Sequence, residues 1–78
     1  MEQKDITITL SPAEALVLFE WLARTDAAQS LPTEHPAETR ALWRLEGKLQ
    51  KQIGVLFSNE YGNALEEARS ELLRLYGE

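Results

Sequence analysis

One segment of the chain alternates strictly between polar and apolar residues, and no second segment does so. Residues 5–10 have the sequence Asp-Ile-Thr-Ile-Thr-Leu, which places Ile6, Ile8 and Leu10 on the same side of an extended backbone. The pattern predicts a half-buried β-strand over 5–10. A single strand cannot satisfy its own backbone N–H and C=O groups, so this strand requires a partner.

A second copy of the chain is the predicted partner of this strand. Antiparallel pairing with the same segment of a twofold-related copy would form a two-stranded ribbon through one self-complementary patch. The predicted homodimer interface consists of the apolar residues of the strand and one tryptophan of the following helix: Ile6, Ile8, Leu10 and Trp21. Two alternatives remain open. The N-terminal segment could lie over its own helices, or it could pair with a short stretch of the loop.

Capping residues mark the start of a first helix over 12–25. Ser11 is suited to the N-cap, Pro12 to the first turn and Glu14 to the acidic position of a capping box. Apolar residues then cover well over half of the circumference of this helix. We therefore expect it to be the central element, with neighbours on more than one side.

Two further helices are predicted after a polar loop over 26–35. The dipeptide His35-Pro36 indicates a helix start, because a residue before proline avoids the helical region. The second helix is expected over 36–57 and the third over 59–76. Each carries a narrow apolar stripe, which favours antiparallel pairing of these two helices.

The predicted fold class is therefore α+β and mostly helical, with the order β-α-α-α in a single small domain over 1–78. The chain has no cysteine and one histidine, which excludes disulfides, thiolate metal ligands and multi-histidine sites within one chain. It also lacks a glycine-rich phosphate loop and a recognisable acid–base pair. We therefore predict no catalytic, cofactor-binding or metal-binding residues, and we do not expect an enzyme.

The charge balance limits the classes of partner. The formal net charge is −5, which argues against non-specific binding to nucleic acid or to an anionic membrane. No basic n-region followed by an apolar h-region opens the chain, and the longest apolar run is too short to span a bilayer. The expected location is the cytoplasm.

One face of the second helix is the candidate contact for another protein. It carries basic residues opposite the apolar stripe, with a tryptophan about a quarter turn from that stripe: Arg40, Trp43, Arg44, Lys48 and Lys51. An acidic or phosphate-bearing partner is one interpretation of the basic residues, and an ordinary solvated face is the other. The tryptophan is interpreted either as the edge of the core, in contact with Leu31, or as a partner contact.

Three runs, EALVLFEWLAR, PAETRALWRLEGKLQ and LFSNEYGNALEEAR, resemble a group of small bacterial proteins with no assigned function. The similar features are a Leu-Phe-Glu-x-Leu helix after a short strand, a Leu-Trp-x-Leu helix after a polar loop, and a last helix that starts with tyrosine. The resemblance spans most of the chain. It implies a bacterial cytosolic origin and carries over no catalytic residues.

A partial resemblance links residues 4–24 to the ribbon-helix-helix repressors and antitoxins. In that family the polar face of the ribbon enters the major groove of DNA, and here that face would present Asp5, Thr7 and Thr9. However, Asp5 would oppose phosphate, and a ten-residue loop replaces the short glycine-containing turn of the family. The acidic balance also opposes counterion-driven binding, so nucleic acid is not the expected partner.

The function predicted from the sequence is therefore a small non-enzymatic protein–protein interaction module of the adaptor, antitoxin or immunity type. A ribbon-helix-helix-like DNA-binding regulator is the alternative.

Overall fold

The computed structural model describes residues 4–56 and 58–77. Within these ranges the chain forms three α-helices: α1 over Pro12–Ala27, α2 over Pro36–Gln52 and α3 over Tyr61–Tyr76. The described residues are 67% helical and contain no β-strand. The fold is therefore all-α, and the predicted α+β class is wrong.

The predicted strand over 5–10 belongs to a segment without regular secondary structure, Lys4–Leu10, which we call the N-terminal arm. Within the described chain, residues 4–9 form no backbone hydrogen bond with another segment. Ile6 is 89% exposed and Ile8 is 71% exposed, whereas Leu10 is partly buried. The predicted half-buried strand is therefore wrong, because a strand needs a neighbouring backbone and the described chain supplies none.

The capping residues act as the sequence predicts. The Ser11 hydroxyl accepts a hydrogen bond from the Glu14 backbone N–H at 3.1 Å, and the Glu14 carboxylate accepts one from the Ser11 N–H at 2.8 Å. Helix α1 continues to Ala27, two residues beyond its predicted end. Gln29 then adopts a left-handed conformation with φ of 55°, which is a conformation typical of residues just after a helix end.

Helix α2 begins at Pro36, where the sequence predicts it, and ends earlier than predicted. The His35 imidazole caps the helix, since its Nδ1 accepts a hydrogen bond from the Ala37 N–H at 3.0 Å. Ile53 leaves the helical region with φ of −96° and ψ of 108°. The predicted helix over 36–57 therefore ends at Gln52, and Phe57 lies outside the described residues. Apolar residues continue the stripe beyond Gln52, but they pack from a non-helical segment.

Helix α1 is central, as predicted, but α2 and α3 do not pair with each other. No Cα atom of α2 lies within 8 Å of a Cα atom of α3. Trp43 of α2 bonds to Asp26 near the end of α1, and the residues after α2 lie beside the start of α1, so α2 runs back along α1.

Helix α3 runs in the same direction as α2. Tyr61 at its start bonds to Glu20 in the middle of α1, whereas Ala68 belongs to the same core cluster as Ala13. The connection over 53–60 packs Val55 and Leu56 against this cluster and returns the chain along α1. Antiparallel pairing of α2 and α3 was therefore the wrong prediction, because the connection acts as a crossover and not as a tight turn.

The molecule exposes more surface than a closed domain of its size. Its accessible surface is 6437 Å², whereas a folded monomer of 8.9 kDa exposes about 4,800 Å². Its radius of gyration is 14.1 Å, compared with about 11.5 Å for a compact chain of 78 residues. Both values indicate that part of the surface lacks the cover that a compact fold would provide.

Candidate binding groove

An open groove with a volume of about 510 Å³ lies where the start of α1, the segment after α2 and the middle of α3 meet. This volume is within the range of about 300–1,000 Å³ typical of binding pockets. Most of its lining is apolar and includes Leu10, Leu16, Ile53, Val55, Ala64 and Ala68. We call this feature the apolar groove.

Short side chains on facing helices create the apolar groove. Ala13 and Ala15 of α1 lie on one side, and Ala64 and Ala68 of α3 lie on the other. Gly54, in the connection between α2 and α3, also lines the groove. A Cβ atom added at Gly54 would meet no atom within 4 Å. Ala13 and Ala68 are buried in the same core cluster, and the partly buried Ala15 and Ala64 leave space beside it that apolar side chains could fill.

Two carboxylates line the mouth of the apolar groove. Glu67 and Glu71 are four residues apart on α3, and both are exposed. Neither forms an ion pair with a described residue, whereas their neighbour Glu66 pairs with Arg69 at 3.0 Å. The groove therefore combines an apolar floor with a negatively charged rim, which suits an apolar segment that carries a cation.

Three of the four predicted dimer-interface residues are associated with the apolar groove. Leu10 lines it, and Ile6 and Ile8 precede Leu10 in the N-terminal arm. Trp21 is not part of this surface, because it lies roughly 14 Å beyond Pro12 along the axis of α1. The structure thus separates Trp21 from the other three residues, and the homodimer interface remains a prediction.

The predicted partner-contact residues form a different surface on α2. Arg40, Arg44, Lys48 and Lys51 are all exposed and do not line the apolar groove. The acidic residues of α3 do not cover this face, since α2 and α3 make no contact. Binding of a partner to these residues remains a prediction.

Trp43 is anchored within the chain although its side chain is 47% exposed. Its indole N–H donates a hydrogen bond to Asp26 Oδ1 at 2.9 Å, and the Arg40 guanidinium lies 5.6 Å from its ring centroid. Leu31 lines the same shallow crevice as Trp43. These contacts support the interpretation of Trp43 as the edge of the core. The pKa of the nearby Glu46 is raised by burial and by the negative charge of Asp26.

A polar contact between α1 and α3 escaped the sequence analysis. The Tyr61 hydroxyl donates a hydrogen bond to Glu20 Oε1 at 2.5 Å, and Arg24 binds the other oxygen of the same carboxylate at 3.3 Å. Only the spacing of Glu20 and Arg24 is visible in the sequence. The 41 residues that separate Glu20 from Tyr61 leave no local signal of their contact.

This contact predicts a loss of stability at high pH. The pKa of Tyr61 is raised to about 12, mainly by burial and further by the hydrogen bond to Glu20 and the negative charge of Glu20. The tyrosine of an unfolded chain titrates near pH 10. Because the folded state favours the neutral phenol, the stabilisation is complete below about pH 10 and is lost as the pH rises toward 12. Denaturant unfolding of the wild type and of Tyr61→Phe across pH 9–12 should show their difference shrinking over this interval. A constant difference would contradict the prediction.

The described residues contain no group of three or more histidine, cysteine, aspartate or glutamate side chains arranged to hold a metal ion. None of the helices in residues 4–56 and 58–77 has the length and hydropathy of a membrane-spanning segment.

Comparison of the chain with protein-family models, with curated proteins and with solved structures finds no match. The resemblances stated from the sequence therefore remain predictions.

Proposed function

We propose that this protein is a non-enzymatic protein–protein interaction module whose binding site is the apolar groove. The observation that carries the proposal is an apolar groove of about 510 Å³ with carboxylates at its mouth, on a molecule that exposes an unusually large surface. A concave site lined mainly by apolar side chains with a few polar groups is typical of sites that bind another molecule. Adaptor, antitoxin and immunity roles, with a cytoplasmic location, all fit this class.

The lining of the groove defines the chemistry of the partner. Aliphatic side chains such as Leu16, Ile53 and Val55 favour aliphatic groups, and burial of one large apolar side chain contributes roughly 1.5–3 kcal/mol. Glu67 and Glu71 at the mouth favour a lysine or arginine beside those groups. We therefore propose that the groove binds a polypeptide segment with two or more apolar residues and a basic residue on one side.

The DNA-binding alternative receives no support from the described residues. A ribbon-helix-helix protein inserts a two-stranded ribbon into the major groove, and residues 4–56 and 58–77 contain no strand. The net charge of −5 also opposes binding to phosphate. We do not propose this function.

A matched pair of substitutions tests the proposed function. Ala64→Gln places a polar side chain into the groove, whereas Ala41→Gln makes the same change at an exposed position of α2. Glutamine is a good helix former, so neither substitution should interrupt its helix. Tagged wild type and both variants would be used to capture proteins from an extract of the source organism, with quantification by mass spectrometry.

We expect Ala64→Gln to lose at least 90% of a captured partner and Ala41→Gln to retain it, a difference of about 1.4 kcal/mol or more in binding. Circular dichroism of each variant verifies that the fold is intact. Equal capture by the wild type and both variants would contradict a binding site in the apolar groove.

A further inference from the structure

Resting on the proposed function, we infer that the occupant of the apolar groove is the N-terminal arm of a second copy of the chain. Two copies would exchange arms reciprocally about a twofold axis, with Ile6 and Ile8 of each copy in the groove of the other. In this arrangement the arms contact helical grooves and do not pair with each other. The arrangement therefore requires no β-ribbon.

The arm carries the features that the groove favours. In an extended segment, residues two apart lie on the same side, about 6.6 Å from each other. Lys4, Ile6 and Ile8 therefore share one side, and Asp5 lies on the opposite side. The two isoleucines match the apolar lining, and Lys4 matches the carboxylates of Glu67 and Glu71.

Ile6 and Ile8 of the arm do not occupy the groove of their own chain. Leu10 already lines that groove, and the next residue, Ser11, is fixed as the N-cap with φ of −68° and ψ of 161°. Residues 6–9 are all β-branched, which favours extended backbone, and none of these four positions holds a glycine, proline, asparagine or aspartate to form a tight reversal. Ile6 and Ile8 are exposed four and two residues before Leu10, which lines the groove, and a stiff extended segment does not readily fold them back into it.

The exposed area fits a dimer. The accessible surface of 6437 Å² exceeds that of a typical folded monomer of this mass by roughly 1,600 Å². A stable interface of standard size buries about 800 Å² from each partner. The excess surface of the monomer is therefore large enough for each chain to bury one arm and one groove in a dimer interface. Reciprocal exchange also satisfies the closed twofold symmetry typical of homodimers.

The test is the molar mass of the full chain in solution, measured by light scattering and sedimentation from about 1 μM to 1 mM. The arm variant is Ile6→Ser/Ile8→Ser, and the groove variant is Ala64→Gln. The matched arm control is Thr7→Ser/Thr9→Ser, which changes the other side of the arm. We expect the wild type and the control to be dimers, and each of the two interface variants to have a dissociation constant raised roughly a hundredfold or more.

Mixing the two interface variants distinguishes arm exchange from other dimers. The groove variant keeps an intact arm and the arm variant keeps an intact groove, so one of the two contacts can form, and an equimolar mixture should yield a heterodimer. A dimer that both variants leave unchanged would overturn the inference. The inference would also be overturned if each variant is monomeric by itself and the equimolar mixture forms no heterodimer.

A charge exchange provides a second test that does not depend on the folding of Ala64→Gln. Glu67→Lys/Glu71→Lys changes only exposed residues and should weaken the dimer about tenfold or more, and added Lys4→Glu should restore part of the affinity. Absence of any recovery would overturn the assigned position of Lys4. A wild type that is monomeric at all concentrations would overturn the second copy as occupant, whereas the capture experiment with Ala64→Gln still decides the proposed function.

Discussion

Leu22→Ala is expected to lower the free energy of unfolding by about 2–5 kcal/mol. Leu22 on α1 is 1% exposed and is the largest fully buried side chain among the described residues. Its truncation removes buried methyl groups and leaves a cavity that the surrounding helices can only partly close. A chain of 78 residues buries a smaller fraction of its surface than a larger domain and has a narrow margin of stability. The loss should therefore unfold a large part of the population at 37 °C.

Urea unfolding followed by circular dichroism measures this effect. Leu73→Ala is the matched control, because Leu73 is also helical but is 66% exposed. That substitution should change the free energy of unfolding by about 0.5 kcal/mol or less. Both variants should be measured at a low protein concentration, so that the proposed dimerisation adds no concentration-dependent term to stability. Similar losses in the two variants would contradict a contribution of Leu22 burial to stability.

Leu49→Ala is expected to cost about 2–5 kcal/mol, with the largest loss of protection in α2. Leu49 is the only buried residue of α2, and α2 packs on α1 but has no contact with α3. The bond from Trp43 to Asp26 is the one side-chain hydrogen bond between α1 and α2 among the described residues. Loss of the Leu49 contact should therefore release α2 while α1 and α3 remain packed.

Hydrogen–deuterium exchange of peptides from each helix measures this difference. In Leu49→Ala, the amides of α2 should exchange at least tenfold faster than in the wild type, with a smaller increase in α3. Leu75→Ala, at a position of α3 that is 50% exposed, is the control and should leave both helices protected. Equal acceleration of α2 and α3 would show that the three helices unfold as one cooperative unit.

The pattern of apolar residues predicted helices but not all of their ends. The stripe of α2 continues in phase through Ile53, yet Ile53 has extended backbone angles and the helix stops at Gln52. Ile53 and Val55 are apolar because they pack on the core cluster from the crossover. Periodicity reports which residues become buried, and a non-helical segment that packs on the same core can extend the pattern.

The N-terminal arm shows a second limit of sequence analysis. Alternation over residues 5–10 predicts a half-buried strand, whereas Ile6 and Ile8 are both exposed on a segment without regular secondary structure. Whether such a segment becomes a strand depends on a backbone partner that its own sequence cannot supply. The described chain has no such partner, and the proposed exchange gives the same side chains a helical groove instead.

The candidate site was only partly visible in the sequence. Leu10, Ile6 and Ile8 were selected through their alternation, but the alanines that open the groove carry no distinctive signal. Trp21 was grouped with them because of its apolar neighbours, and the length of α1 separates it from the groove. Glu67 and Glu71 lie at the mouth of the groove because α3 packs on α1, and the sequence around them does not indicate this packing.

The sequence by itself determined the features that depend on neighbouring residues. The caps at Ser11 and His35 and the start of α1 and α2 follow from contacts within one helical turn, where a few side chains decide the outcome. Only the tertiary structure decided the crossover, the shared direction of α2 and α3, the contact between Tyr61 and Glu20, and the apolar groove. These features depend on which distant surfaces pack together, and that choice reflects the packing of the whole chain and not the preference of any one segment.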